Sequence, residues 1–142
     1  ENLRTPPVFW PQLLALQAEA CALSGRPADA LELLDRAAGV AAEGSFDSAN
    51  LKVQRADVLV SLDDAAGAES WLLRAFHEAG GAGARMIQLR AATRLARLAE
   101  TTGRGDATAM LLEVFETFTE GFDTPQLLEA RAVLNDAAAG GP

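Results

Sequence analysis

Three turn residues, Gly25, Asp63 and Gly103, stand 38 and then 40 residues apart, and the residues around them recur. Seven positions before each turn the chain has Ala18, Ala56 and Ala96. Five, nine and twelve positions after it stand Ala30, Leu34 and Ala37, then Ala68, Leu72 and Ala75, then Thr108, Leu112 and Phe115. A period of this length marks stacked supersecondary units. A small residue near the middle of each first helix would let its partner approach closely, while Leu and Ala of the second helix fill the groove between them. No such hairpin can bury its apolar face alone, so the units are expected to stack into a short solenoid.

The residue types make those units helical. Of 142 residues, 30 are Ala and 21 are Leu, only 8 are Val or Ile, and Tyr is absent, which leaves little material for a sheet. Periodicity and Gly/Pro punctuation predict seven helices, at about 7–24, 27–43, 49–62, 65–79, 84–102, 106–120 and 124–136. Pro27 and Pro125 fall at first-turn positions, where the missing N–H carries no penalty. Together these define one all-α domain over residues 1–136, with hairpins at about 7–44, 45–82 and 83–121, a capping helix at 124–136 and a flexible tail at 137–142. The length suits a single core.

Composition also limits chemistry. One His (His77), one Cys (Cys21) and one Lys (Lys52) cannot build a His/Cys metal site, a disulfide or a lysine-bearing phosphate loop. No catalytic residue, cofactor or metal is therefore expected in this stretch. Twelve basic against 20 acidic residues give a net charge of −8, which repels a phosphate backbone and argues against nucleic acid as a partner. No apolar run approaches the roughly 20 residues that cross a bilayer, so neither a membrane span nor a membrane partner is expected. The lone cysteine favours the cytoplasm. The excess of Arg over Lys, 11 to 1, suggests a GC-rich bacterial genome, and the absence of an initiating Met suggests a piece of a longer protein.

The recurring small–turn–Ala-x3-Leu-x2-Ala pattern resembles the tetratricopeptide repeat in a stretched form, without its Trp-x2-Leu-Gly-x2-Tyr signature. A second resemblance is more specific. Residues 89–98 (LRAATRLARL), Thr102-Gly103-Arg104 and residues 118–134 (FTEGFDTPQLLEARAVL) are similar to the C-terminal helical-repeat region of bacterial multidomain signalling ATPases. In that family an adenylate/guanylate cyclase or DNA-binding regulator domain precedes an AAA/STAND-type ATPase, and the repeats follow. The resemblance implies a non-catalytic regulatory or protein-interaction role for this piece, with nucleotide chemistry elsewhere in the parent. A ligand- or peptide-sensing module that controls the attached ATPase is the alternative.

Several residues stand out as candidates. Arg90, Arg94 and Arg97 form a basic stripe on the fifth helix, and Arg97 aligns with Asp57 and Glu19 of the earlier units. First helices of a solenoid line its concave surface, so these five residues would make a mixed-charge groove for an acidic peptide or another domain of the parent. The plainer account pairs Arg97 with Asp57 across neighbouring helices. Trp71 either packs between hairpins or anchors an interface. Trp10, near the open end of the solenoid, is expected to contact a preceding repeat of the parent, and the apolar surface exposed at that end points to self-association through the first helix and hence to a homo-oligomer. The remaining features read structurally: His77 as a surface residue near a helix end, Cys21 as a buried thiol, Asp63-Asp64 as a cap, and 80–83 (GGAG) as an interhelical turn. In the run 121–125, Gly121 is expected to end helix six, Phe122 to plug the gap beyond it, and Thr124-Pro125 to start the last helix.

Overall fold

The computed structural model describes residues 10–42 and 44–140. Among them are seven α-helices and no strand: α1 (Trp10–Leu23), α2 (Pro27–Val40), α3 (Phe46–Ser61), α4 (Ala65–Gly81), α5 (Arg85–Thr102), α6 (Ala107–Phe115) and α7 (Pro125–Ala139). They form three antiparallel hairpins, α1–α2, α3–α4 and α5–α6, stacked in order, with α7 against α5 and α6. The protein is an all-α superhelix of helical hairpins.

Local chemistry explains the joints. At Gly25 (φ 77°) and Asp63 (φ 61°) the chain enters the left-handed region, and the next residue's N–H reaches back to the last turn: Arg26 N to Cys21 O at 2.8 Å, Asp64 N to Leu59 O at 2.9 Å. Asp64 then caps α4, its Oδ1 accepting the Gly67 N–H at 2.9 Å. Asp63 is the one non-glycine residue with positive φ among the described residues. Asp63→Gly should therefore stabilise the domain by about 0.5–1 kcal/mol in urea unfolding, the gain from relieving a left-handed L-residue less the added chain entropy. No gain, or a loss, would mean that the Asp63 side chain itself holds the turn.

Three apolar clusters run along the stack. Leu14, Ala18, Ala30, Leu34 and Ala37 meet Leu51 and Val58 in the first. Val53, Ala56, Leu72 and Ala75 meet Ile87, Ala91 and Leu95 in the second, and Leu89, Ala92, Leu111 and Val114 meet Leu127 and Ala130 in the third. The alanine columns lie where helices cross, as the repeat requires: Ala18, Ala30, Ala37, Ala56, Ala68 and Ala75 are all buried.

Several sequence expectations need correction. In the third unit the register is one residue off: Ala107, Leu111 and Val114 occupy the core, whereas Leu112 is 44% exposed and Thr108 and Phe115 are only partly buried. Likewise Leu95 is fully buried and Ala96 only partly so. The α6 core column begins four residues after Gly103, whereas those of α2 and α4 begin five after Gly25 and Asp63, so counting five from that glycine overshoots the column by one. Helix six ends at Phe115, well before Gly121, because the Thr117 Oγ1 donates back to Val114 O at 2.7 Å and Phe118 and Phe122 leave the helix to pack beside α7. Helix three begins at Phe46, where Ser45 Oγ accepts the Ser48 N–H at 3.2 Å. Helix four runs on to Gly81, and the last helix continues through the predicted tail to Ala139, as an alanine run favours. Residues 7–9, expected in the first helix, and residues 141–142 of the expected tail lie outside the described residues.

Candidate functional site

The first helices α1, α3 and α5 stand side by side and frame a groove of about 410 Å³. Its floor is apolar, from Ala18, Leu34 and Val58, with Ala22 and Leu23 at one wall. Around this floor stand Glu19 from α1, Gln54, Asp57 and Ser61 from α3, and Arg90 and Arg94 from α5. A second cleft of about 290 Å³ continues from it between Val60, Leu72 and Leu98, with Arg97 and Glu129 on its rim. Asp57 and Arg94 belong to both and divide them.

Arg94 is the fixed member of the stripe. Its Nε and Nη2 donate to the two carboxylate oxygens of Asp57 at 2.6 and 3.0 Å, a bidentate geometry that the planar guanidinium matches. The pairing expected between Arg97 and Asp57 is thus made by Arg94, one helical turn earlier; Arg97 faces Glu129 of α7 instead, at 3.8 Å. Arg97 lies further along α5, beside α7, a helix outside the three-unit pattern.

Arg90 differs from Arg94. It donates through Nη1 to Asn50 Oδ1 at 2.8 Å, a neutral partner that leaves its charge uncompensated at contact distance. Burial, and then the neighbouring Arg94, hold its pKa below the ordinary arginine value, partly opposed by Asp57, Glu129 and Glu19. It remains a cation at neutral pH, but a poorly hydrated one. Beside it in the groove, Gln54 Oε1 is buried without a hydrogen-bond partner among the described residues. A poorly hydrated cation and an open acceptor above an apolar floor suit an incoming group that carries a negative charge, an N–H and an aliphatic side chain.

Glu19, Asp57, Arg90 and Arg94 are therefore brought together in one groove, and Arg97 lies in the adjoining cleft. The tryptophans are elsewhere. Trp71 is half-buried against the central cluster, with the guanidinium groups of Arg55 and Arg74 at 4.8 and 4.3 Å from its ring centroid. Arg55 also pairs with Asp35, so a chain of contacts joins α2, α3 and α4 through this ring. Trp10 opens α1 and is exposed. His77 is exposed on α4, edge-on to Phe76 at 5.5 Å, and Cys21 is a buried free thiol. Among the described residues no group of three or more His, Cys, Asp or Glu could hold a metal ion, and no helix is long and apolar enough to cross a membrane.

Sequence reasoning missed one polar cluster. Lys52 Nζ donates to Glu78 Oε1 at 2.7 Å and to Ser48 Oγ at 2.8 Å; Ser48 Oγ donates to Glu78 Oε2 at 2.9 Å, and the Gly44 N–H to the same oxygen at 2.6 Å. Burial raises the Glu78 pKa, but the hydrogen bonds from Lys52, Ser48 and Gly44 and the Lys52 charge outweigh it and hold the carboxyl below its usual 4.5. The spacing of Ser48 and Lys52 on one helix face was visible in the sequence. Glu78, 26 residues beyond Lys52, was not.

No family model and no curated protein matches the chain. Among solved structures, the crystal structure of BtubC (BKLC) from P. vanneervenii is similar over all of this chain and 69% of its own, with a TM-score of 0.72 and 16% sequence identity. At that identity the likeness speaks to fold alone.

Proposed function

We propose that the domain is a non-catalytic interaction module that receives an acidic peptide segment, from a partner or from another domain of its parent protein, in the groove between α1, α3 and α5. The observation that carries this is Arg90, half-buried, hydrogen-bonded to a neutral amide and adjacent to the unpaired Gln54 Oε1 above an apolar floor. An extended peptide supplies all three complements: a carboxylate for Arg90, a backbone N–H for Gln54, and a small aliphatic side chain for the surface of Leu34 and Val58. In this reading the parent is a bacterial signalling ATPase or transcriptional regulator of the cytoplasm, possessing cyclase or DNA-binding output elsewhere. That part rests on the resemblance of residues 89–98 and 118–134, whose second stretch forms the α6–α7 turn and the closing helix.

The test is selection of a displayed random 12-residue peptide library on the 142-residue chain, followed by fluorescence polarisation of the enriched peptides. Enriched sequences should carry Asp or Glu beside an aliphatic residue, with Kd on the order of 10 μM. Arg90→Gln should weaken binding about tenfold, the value of one charge-assisted hydrogen bond, while Arg131→Gln, outside the groove, should not. Enrichment without acidic residues, or binding indifferent to Arg90→Gln, would reject the groove. The volume of the groove also falls in the range of small-molecule sites, which favours a sensing role as the second reading. A rise in Tm with a small carboxylate ligand and no peptide enrichment would select it.

A further inference from the structure

Helix α1 is apolar on two faces. Leu14, Ala15, Ala18 and Cys21 are buried on the inner one. On the outer one Leu13, Leu16 and Leu23 are 41, 62 and 83% exposed, with Ala20 exposed among them, and Trp10 at the start of the helix is 39% exposed. Four large apolar side chains on one 14-residue helix form an apolar surface that ordinary solvated helices lack. The repeat shows what such a face does. Thirty-eight residues on, Leu13 and Ala20 correspond to Leu51 and Val58 of α3, both buried in the cluster that contains Leu34 and Ala37 of α2. A column that is a helix–helix contact on α3 is bare on α1.

We propose that this face is a homodimer interface in which the α1 helices of two copies pack antiparallel through Leu13, Leu16, Ala20 and Leu23. These four stand at intervals of three, four and three residues, the spacing of a coiled-coil seam. With the two-fold axis near residue 18, Leu16 lies over Ala20 of the second copy and Leu13 meets its Leu23, so a large side chain fills each place a small one leaves. Parallel pairing would set Ala20 on Ala20 and leave a gap. Charge selects the same arrangement. Antiparallel packing brings the exposed Arg26, just past the end of α1, towards Asp47 of the second copy, which its own Gln12 Nε2 already contacts at 2.8 Å. Parallel packing would place Arg26 beside Arg26. The one charge on α1, Glu19, flanks the seam on the side opposite Gln17 and is turned into the groove towards Arg90.

Sedimentation velocity of the 142-residue chain between roughly 5 and 500 μM tests this. The expected result is a monomer–dimer equilibrium that Leu16→Glu and Leu23→Glu each abolish, with unchanged helical circular dichroism because both side chains are exposed. Gln17→Cys, in a Cys21→Ser background, should form a symmetric disulfide on oxidation, since Gln17 flanks the axis. A monomer throughout the range, association beyond the dimer, or a dimer that survives both glutamates would overturn the interface. A dimer that the glutamates abolish but Gln17→Cys does not cross-link would overturn the antiparallel arrangement.

Discussion

Lys52→Met should destabilise the domain by about 3 kcal/mol in urea unfolding, because it strands the Glu78 carboxylate in a site where the paired side chains are only 11% and 10% exposed. Glu78→Leu alone should cost less, because the ammonium keeps its hydrogen bond to Ser48. Lys52→Met combined with Glu78→Leu should recover most of the loss, since an apolar pair of similar volume leaves no charge buried. A double variant as unstable as the singles added together would show the two residues acting independently. The pH dependence has a definite sign. Glu78 has its folded-state pKa below 4.5, so its contribution is complete above that value and is lost as pH falls through the folded-state pKa. Wild type should therefore lose stability on acidification below about pH 4.5 more steeply than Glu78→Gln. Parallel curves would remove Glu78 from the account. Because the Gly44 N–H also binds this carboxylate, the network ties the α2–α3 connection to the far end of α4.

Leu111→Ala should cost about 3 kcal/mol and its neighbour Leu112→Ala less than about 1 kcal/mol. The first removes a fully buried side chain from the contact between α6, α5 and α7; the second trims one that is 44% exposed. Leu72→Ala, at the corresponding position of α4 and equally buried, should match Leu111→Ala. Equal losses at 111 and 112, by chemical denaturation with unchanged m-value, would contradict the placement of Leu111 rather than Leu112 in the core.

Those contrasts show where pattern reasoning works. In the first two hairpins the turn is tight, with a left-handed residue and a helix beginning two positions later, so counting from Gly25 or Asp63 finds Ala30, Leu34, Ala68 and Leu72 in the core. At Gly103 the left-handed residue stands one position nearer the core column, and the count overshoots by one. Helix six shows the second limit: residues 116–120 have acceptable helix propensity, yet Phe118 and Phe122 bury more by leaving the helix and packing with Phe115 beside α7. Tertiary burial overrides a weak local preference.

The candidate groove divides the same way. The placing of Glu19, Asp57, Arg90 and Arg94 on the first helices of their units was legible, because the repeat assigns those helices to one surface. Which arginine takes Asp57 was not, since Arg90, Arg94 and Arg97 share a helix face and only the rotation of α5 against α3 sets Arg94 opposite the carboxylate. The same rotation leaves Arg90 with Asn50 and the Gln54 carbonyl without a partner.

Local periodicity, turn chemistry and side-chain size were enough to fix the all-α class, the hairpin period and, in the first two units, the small-residue columns. Only the tertiary structure decided the Lys52–Glu78 pair, the uncompensated Arg90 and the bare outer face of α1. Each of these depends on which side chains from distant segments meet, or fail to meet, when rigid helices pack, and no local pattern encodes that.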